Sequence, residues 1–89
     1  MRHDKRRDAN ELEVVKALRK IGAAVYPIGL PVDLLVWFRG VLYLIEVKVE
    51  GGTYTKQQLK FIEEWPGEVH TVRSPEEAVA AVVGKEAMR

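Results

Sequence analysis

Pro31-Val32-Asp33-Leu34-Leu35-Val36-Trp37-Phe38-Arg39-Gly40-Val41-Leu42-Tyr43-Leu44-Ile45-Glu46-Val47-Lys48 consists of two runs of branched and aromatic residues hinged on Arg39-Gly40. Two such runs read as a β-hairpin with a tight turn, although Arg-Gly is a less usual turn pair than Asn-Gly. A two-residue turn sets the register. Phe38 opposes Val41, so Trp37 opposes Leu42, Leu35 opposes Leu44 and Asp33 opposes Glu46. Side chains alternate across a strand. Leu35, Trp37, Leu42 and Leu44 therefore share a face with Asp33 and Glu46, and Lys48 follows on that side.

That placement is odd for a purely structural strand pair. Like charges directly opposite each other are destabilising, and at the end of an apolar stripe desolvation sharpens the repulsion. A divalent cation between Asp33 and Glu46 removes the conflict. Two carboxylates, backbone carbonyls and waters suit Mg²⁺. Lys48 then brings a positive donor beside the metal, able to orient or polarise an attacking water. The plainer alternative makes Asp33 a turn residue after a proline, with Glu46 and Lys48 solvated. A one-residue bulge would also undo the pairing.

Working outward, Asp8 and Asn10 each offer an N-cap with a glutamate three positions on, Glu11 and Glu13 respectively. A first helix is expected from there, with Val14, Leu18 and Ile21 as its buried stripe and Gly22 as its stop. Ala23 to Ile28 reads as a strand, followed by a break at Gly29 to Pro31. Val32 to Phe38 and Val41 to Val49 are the hairpin strands, closed by Gly51-Gly52. Thr55 with Gln58 forms a capping box for a second helix, which Pro66-Gly67 ends. Val69 to Val72 is a fourth strand. Ser74-Pro75-Glu76-Glu77 opens a last helix, expected to end near Gly84. The order is α-β-β-β-α-β-α, and the second helix should carry the fourth strand over to lie parallel to a neighbour. The fold class is α/β, with a mixed central sheet flanked by helices.

The 89 residues allow one domain with one modest core, so residues 1–89 are read as a single domain. No apolar run approaches the ~20 residues of a membrane span, and Met1 to Asp8 lacks the apolar stretch of a signal peptide. There is no cysteine, hence no disulfide or thiolate metal site, which fits a cytoplasmic protein. The formal net charge of +1 gives only weak support to nucleic-acid binding, because local distribution matters more than the sum. Lys5, Arg6 and Arg7 cluster at the start, where residues 1–7 read as a flexible basic tail. His3 falls in that tail and His70 reads as an ordinary strand residue, with no metal-ligand spacing between them. No phosphate loop, dinucleotide fingerprint or nucleophile elbow is present, so no small-molecule cofactor is expected. Phe38, Phe61, Trp37 and Trp65 read first as core, with some of them at a subunit interface in so small a chain.

Pro31-Val32-Asp33 followed by Glu46-Val47-Lys48 resembles the PD-(D/E)XK nuclease signature. The motif is loose, but here it has a preceding helix bearing glutamates, a hairpin joining its halves and a following helix opened by Thr55-Lys56-Gln57-Gln58. That layout resembles the small VRR-NUC and Holliday-junction-resolvase-like branch, including compact phage-type nucleases, from about Arg6 to Val83. The resemblance implies a restriction-endonuclease-like core in an intracellular phage or prokaryotic protein. It implies that Asp33, Glu46 and the Val47 carbonyl ligate a metal, and that Lys48 positions water or stabilises the transition state. Gln58 matches a glutamine that approaches the site or DNA, and its capping role with Thr55 is weighed equally.

The helix acid of the family falls on Glu11 or Glu13. At about 100° per residue, Glu11 projects toward the sheet within the arc of Val15 and Leu18, which favours it as an outer-shell metal ligand. The pattern Asn10-Glu11-Leu12-Glu13 in some phage relatives points instead to Glu13. A first-turn acid offsetting the helix dipole is the ordinary alternative for either. The loop Pro27-Ile28-Gly29-Leu30 departs from the family, whose members often carry a longer polar or glycine-rich segment there. Arg6, Arg7, Arg39, Lys56 and Lys60 are candidate phosphate contacts.

The expectation is a Mg²⁺-dependent endodeoxyribonuclease, with Mn²⁺ as a substitute, acting on DNA and by resemblance on branched DNA. Cutting two strands related by near symmetry predicts a two-fold homodimer. The alternative from another class is a non-catalytic nucleic-acid-binding or interaction module of the same fold.

Overall fold

The computed structural model describes residues 5–87, with side chains for 10–84. The element order is α1 (Lys5–Lys20), β1 (Ala24–Pro27), β2 (Leu34–Phe38), β3 (Val41–Val47), α2 (Lys56–Glu64), β4 (Val69–Val72) and α3 (Pro75–Ala87). The strands form one mixed sheet in the order β1-β2-β3-β4. β1 and β3 flank β2 antiparallel, and β4 runs parallel to β3 after the connection through α2. This is a small α/β domain with a four-stranded mixed sheet and three helices.

The hairpin has the register set by its turn, with Leu35 opposite Leu44, Trp37 opposite Leu42 and Phe38 opposite Val41. Arg39 and Gly40 both have positive φ, 51° and 80°, the signature of a type I′ turn. The Arg39 guanidinium lies 5.1 Å from the centre of the Phe38 ring, a cation–π contact at the tip. α1 ends as Gly22 requires. Gly22, at φ 97°, donates its N–H to the Arg19 carbonyl, and the next N–H, of Ala23, reaches the Leu18 carbonyl. That pair is a Schellman closure.

Two helix ends differ from expectation. α1 begins at Lys5 rather than at Asp8 or Asn10, so residues 5–7 are helical and not tail. Lysine and arginine are good helix formers and need no apolar partner to extend a helix already nucleated by packing. Residues 1–4, with His3, lie outside the described residues. α3 passes through Gly84 to Ala87, because Lys85, Glu86 and Ala87 favour helix enough to outweigh one glycine.

The core lies on one face of the sheet. Val25, Leu34, Val36, Phe38, Tyr43, Ile45, Val47 and Val72 meet Val14, Val15 and Leu18 of α1 and Ala78 and Val82 of α3. The Tyr43 hydroxyl is satisfied there by the Val82 carbonyl at 3.2 Å. On the other face the stripe that carries the two acids is only partly withdrawn from water. Leu44 is buried, but Trp37 and Leu42 are about half exposed, as is Tyr26 of β1. Both faces of this hairpin are apolar in sequence, so alternation alone does not tell which one the helices cover. No helix among the described residues is long and apolar enough to cross a membrane.

Candidate active site

The residue pairing that follows Leu34–Ile45 down the ladder brings Asp33 beside Glu46, just where the hairpin leaves regular strand. The two acids are interlocked with backbone. The Val47 N–H donates to Asp33 Oδ2 at 2.8 Å, and the Asp33 N–H donates to Glu46 Oε1 at 3.3 Å. The Asp33 carbonyl accepts from Ile28 and Gly29, which folds the 28–33 loop back onto the head of β2. Each carboxylate is thus held by the strand opposite its own.

Lys48 extends β3 by one more bond, its N–H donating to the Val72 carbonyl at 2.9 Å. Its side chain turns back along the face of Glu46, with Nζ 3.6 Å from Glu46 Oε2. Nζ also donates to Gln58 Oε1 at 2.7 Å and lies 5.4 Å from the centre of the Tyr54 ring. The Tyr54 hydroxyl is in turn hydrogen-bonded to Thr71 on β4.

Gln58 joins the two halves. Its Nε2 donates to Glu46 Oε2, while its Oε1 accepts from both Lys48 Nζ and the Thr55 N–H. Thr55 Oγ1 completes the capping box by accepting from the Gln58 N–H. The capping role and the site role, alternatives in the sequence, are served by one amide at once.

Burial singles out the same residues. Asp33 is 3% exposed, Glu46 2% and Lys48 8%, and they are the only charged or polar residues buried among those described. No buried side-chain nitrogen or oxygen there lacks a hydrogen-bond partner. Even so, withdrawing an ion from water costs several kcal/mol after relaxation. Among the described residues, the fold meets that cost at one place only, with Asp33, Glu46 and Lys48 drawn together.

The donor set can be tested against a metal. Among the described residues no three aspartate, glutamate or histidine side chains gather as a metal-holding group, so a closed zinc-type site is not built here. Two carboxylates on neighbouring strands do fit Mg²⁺, which keeps several waters and is held by one or two carboxylates. Glu11 is half-buried on the arc of α1 that contains Val14, Val15 and Leu18. Glu13 is exposed and lies 3.9 Å from Lys16. Neither joins Asp33 and Glu46 as a third close acid among the described residues.

Sequence reasoning missed three residues. Tyr54 walls the Lys48 ammonium, Thr71 anchors Tyr54, and Asn10 Nδ2 approaches the Lys48 carbonyl at 3.4 Å, tying α1 to the end of β3. Tyr54 directly precedes an N-cap, where a side chain that packs back on the chain is common; that was the available signal. Asn10 reads in the sequence as an N-cap and not as a tie to β3, and Thr71 gave no signal.

The candidate phosphate contacts scatter. Arg39 sits at the hairpin tip, the far end of β2 from Asp33. Lys56 and Lys60 are exposed on α2, and Lys60 lines a groove shared with Gln58. The side chains of Arg6 and Arg7 lie outside the described residues. His70 packs on Tyr43 with ring centres 5.5 Å apart and lies 3.8 Å from Glu68, a strand residue as expected. Phe38 is core, Phe61 is half-buried and stacked on Trp65, and Trp37 and Trp65 are exposed. No family model, curated protein or solved structure matches this chain, which leaves the geometry of the site as the ground for a functional reading.

Proposed function

We propose that this chain is a metal-dependent endonuclease that hydrolyses DNA phosphodiester bonds, built on a restriction-endonuclease-like core. The observation that carries the reading is the burial of Asp33, Glu46 and Lys48 together, with no other charged side chain buried among the described residues. A fold gains little from two facing buried acids and one base; a site that must hold a cation and a phosphodiester gains much. Asp33 and Glu46, with the Val47 carbonyl, are the residues that would hold Mg²⁺ or Mn²⁺, and Glu11 is the outer acid. When bound, the cation supplies Lewis-acid stabilisation of a phosphoryl oxygen.

The chain's own residues divide the rest of the work. The Val47 N–H fixes Asp33, and the Gln58 amide fixes Glu46. Lys48 is oriented by Glu46, Gln58 and the Tyr54 ring. Its ammonium offers a donor to the attacking water or to a phosphoryl oxygen as charge develops there. Preference for branched DNA and a two-fold homodimer belong to the same proposal.

The test is cleavage of labelled linear duplex, single-stranded, flap and four-way-junction DNA with Mg²⁺, Mn²⁺ or chelator. Wild type is compared with Asp33→Ala and Lys48→Ala. Metal-dependent cleavage reduced about 10²-fold or more in both variants is expected. DNA binding without cleavage would instead leave a non-catalytic binding module.

A further inference from the structure

Beside the buried site runs a groove of about 490 Å³ between the 29–31 loop and α2. Its walls are chemically divided. Leu30 and Pro31 line one side and Phe61 the other, while Gln58 stands toward the start of α2, Lys60 at its middle and Glu64 at its end. Leu30 is 79% exposed, an aliphatic side chain standing in water with nothing packed over it. Gln58 belongs to both groove and site, since the same amide bonds Lys48 and Glu46. Whatever fills the groove therefore lies against the proposed scissile position.

We infer that this groove takes one unpaired nucleotide of the strand being cut, its base between Leu30 and Phe61 and its phosphate toward Lys60. A base is flat and apolar on both faces and polar at its edge, which matches two apolar walls with polar ends. Stacking of that kind is indifferent to sequence. From Gln58 to Glu64 the helix rises about 9 Å, less than three stacked bases at about 3.4 Å each. Glu64 repels a second phosphate, so the strand leaves the groove after one residue. A paired base hides both its faces in the stack and cannot enter without being extruded. The inference rests on the nuclease reading for its orientation, and it assigns the chain a preference for strands that are unpaired next to the cut.

The test measures binding apart from cleavage. Fluorescence anisotropy of the full chain in chelator at low salt would be read with three probes: a labelled oligo-dT strand, the same strand carrying abasic sites, and the matching duplex. Leu30→Ser and Phe61→Ala are compared with Leu59→Ser, which changes an exposed residue of α2 outside the groove. The single strand should bind more tightly than the duplex. Leu30→Ser and Phe61→Ala should each weaken strand binding about fivefold or more, abasic sites should do the same, and duplex binding and Leu59→Ser should stay within about twofold. Equal affinity for strand and duplex, or a Leu30→Ser protein that binds the strand as wild type does, overturns the inference; Leu30 is too exposed for that variant to fail by unfolding. Cleavage lost in Asp33→Ala alongside either of those results would leave the nuclease standing without the groove. Groove-dependent strand binding with no cleavage would leave the groove standing without the nuclease.

Discussion

Replacing Asp33 by asparagine keeps an oxygen for the Val47 N–H and removes one of two facing charges. Urea unfolding in chelator should show Asp33→Asn more stable than wild type by about 1 kcal/mol, with unchanged m-value. Mg²⁺ or Mn²⁺ should raise the midpoint of wild type and leave that of Asp33→Asn where it is. A variant less stable than wild type would mean that the carboxylate serves the fold, and the case for a cation would lose its energetic ground. At this scale the sequence was most informative about Asp33, Glu46 and Lys48, because a two-residue turn leaves no slack in the register that brings them together. It was silent on the contacts of Asn10 and Thr71, which reach across 38 and 17 positions of chain and follow from the packing of whole elements.

Among the elements, α2 stands apart in burying none of its residues. It is held by the Thr55–Gln58 box and by the bonds of Gln58 to Lys48 and Glu46. Native-state hydrogen exchange should therefore find the α2 amides opening well below the free energy that protects β2 and β3. Thr55→Ala should lower α2 protection by about 1 kcal/mol, and Gln58→Ala by more, since it removes the side-chain half of the capping box and both ties to the site. Protection of α2 equal to that of β3 would contradict this account. The elements themselves were legible where turn and cap chemistry marks them: Gly22, Arg39-Gly40, Thr55 with Gln58, and Ser74-Pro75. The start of α1 and the end of α3 were not. Lys5 to Arg7 and Lys85 to Ala87 carry no apolar period, and a charged helical turn looks like a tail. Nor could alternation choose between the faces of the hairpin, because Leu34, Val36 and Phe38 are no more apolar than Leu35 and Trp37.

The whole molecule has one face sheathed by α1 and α3 and another left open around Tyr26, Trp37 and Leu42. Contiguous apolar patches beyond a few hundred Å² mark association surfaces, and an uncharged patch can meet its own copy without repulsion. If the proposed homodimer forms through this face, Trp37→Lys with Leu42→Lys should give a folded monomer by sedimentation velocity while wild type sediments as a dimer. A wild type that is monomeric at about 100 μM would remove the dimer.

The hairpin also bears on the order of events during folding. Asp33 and Glu46 are 13 positions apart and are joined by a local turn, so they meet early. Gln58 arrives only when the longer β3–α2–β4 crossover closes. For that interval the two acids face each other with Lys48 as their neighbouring countercharge. Stopped-flow refolding should accordingly quicken as added salt screens them, the unfolding limb should barely respond, and in Asp33→Asn the salt sensitivity of the refolding rate should largely vanish.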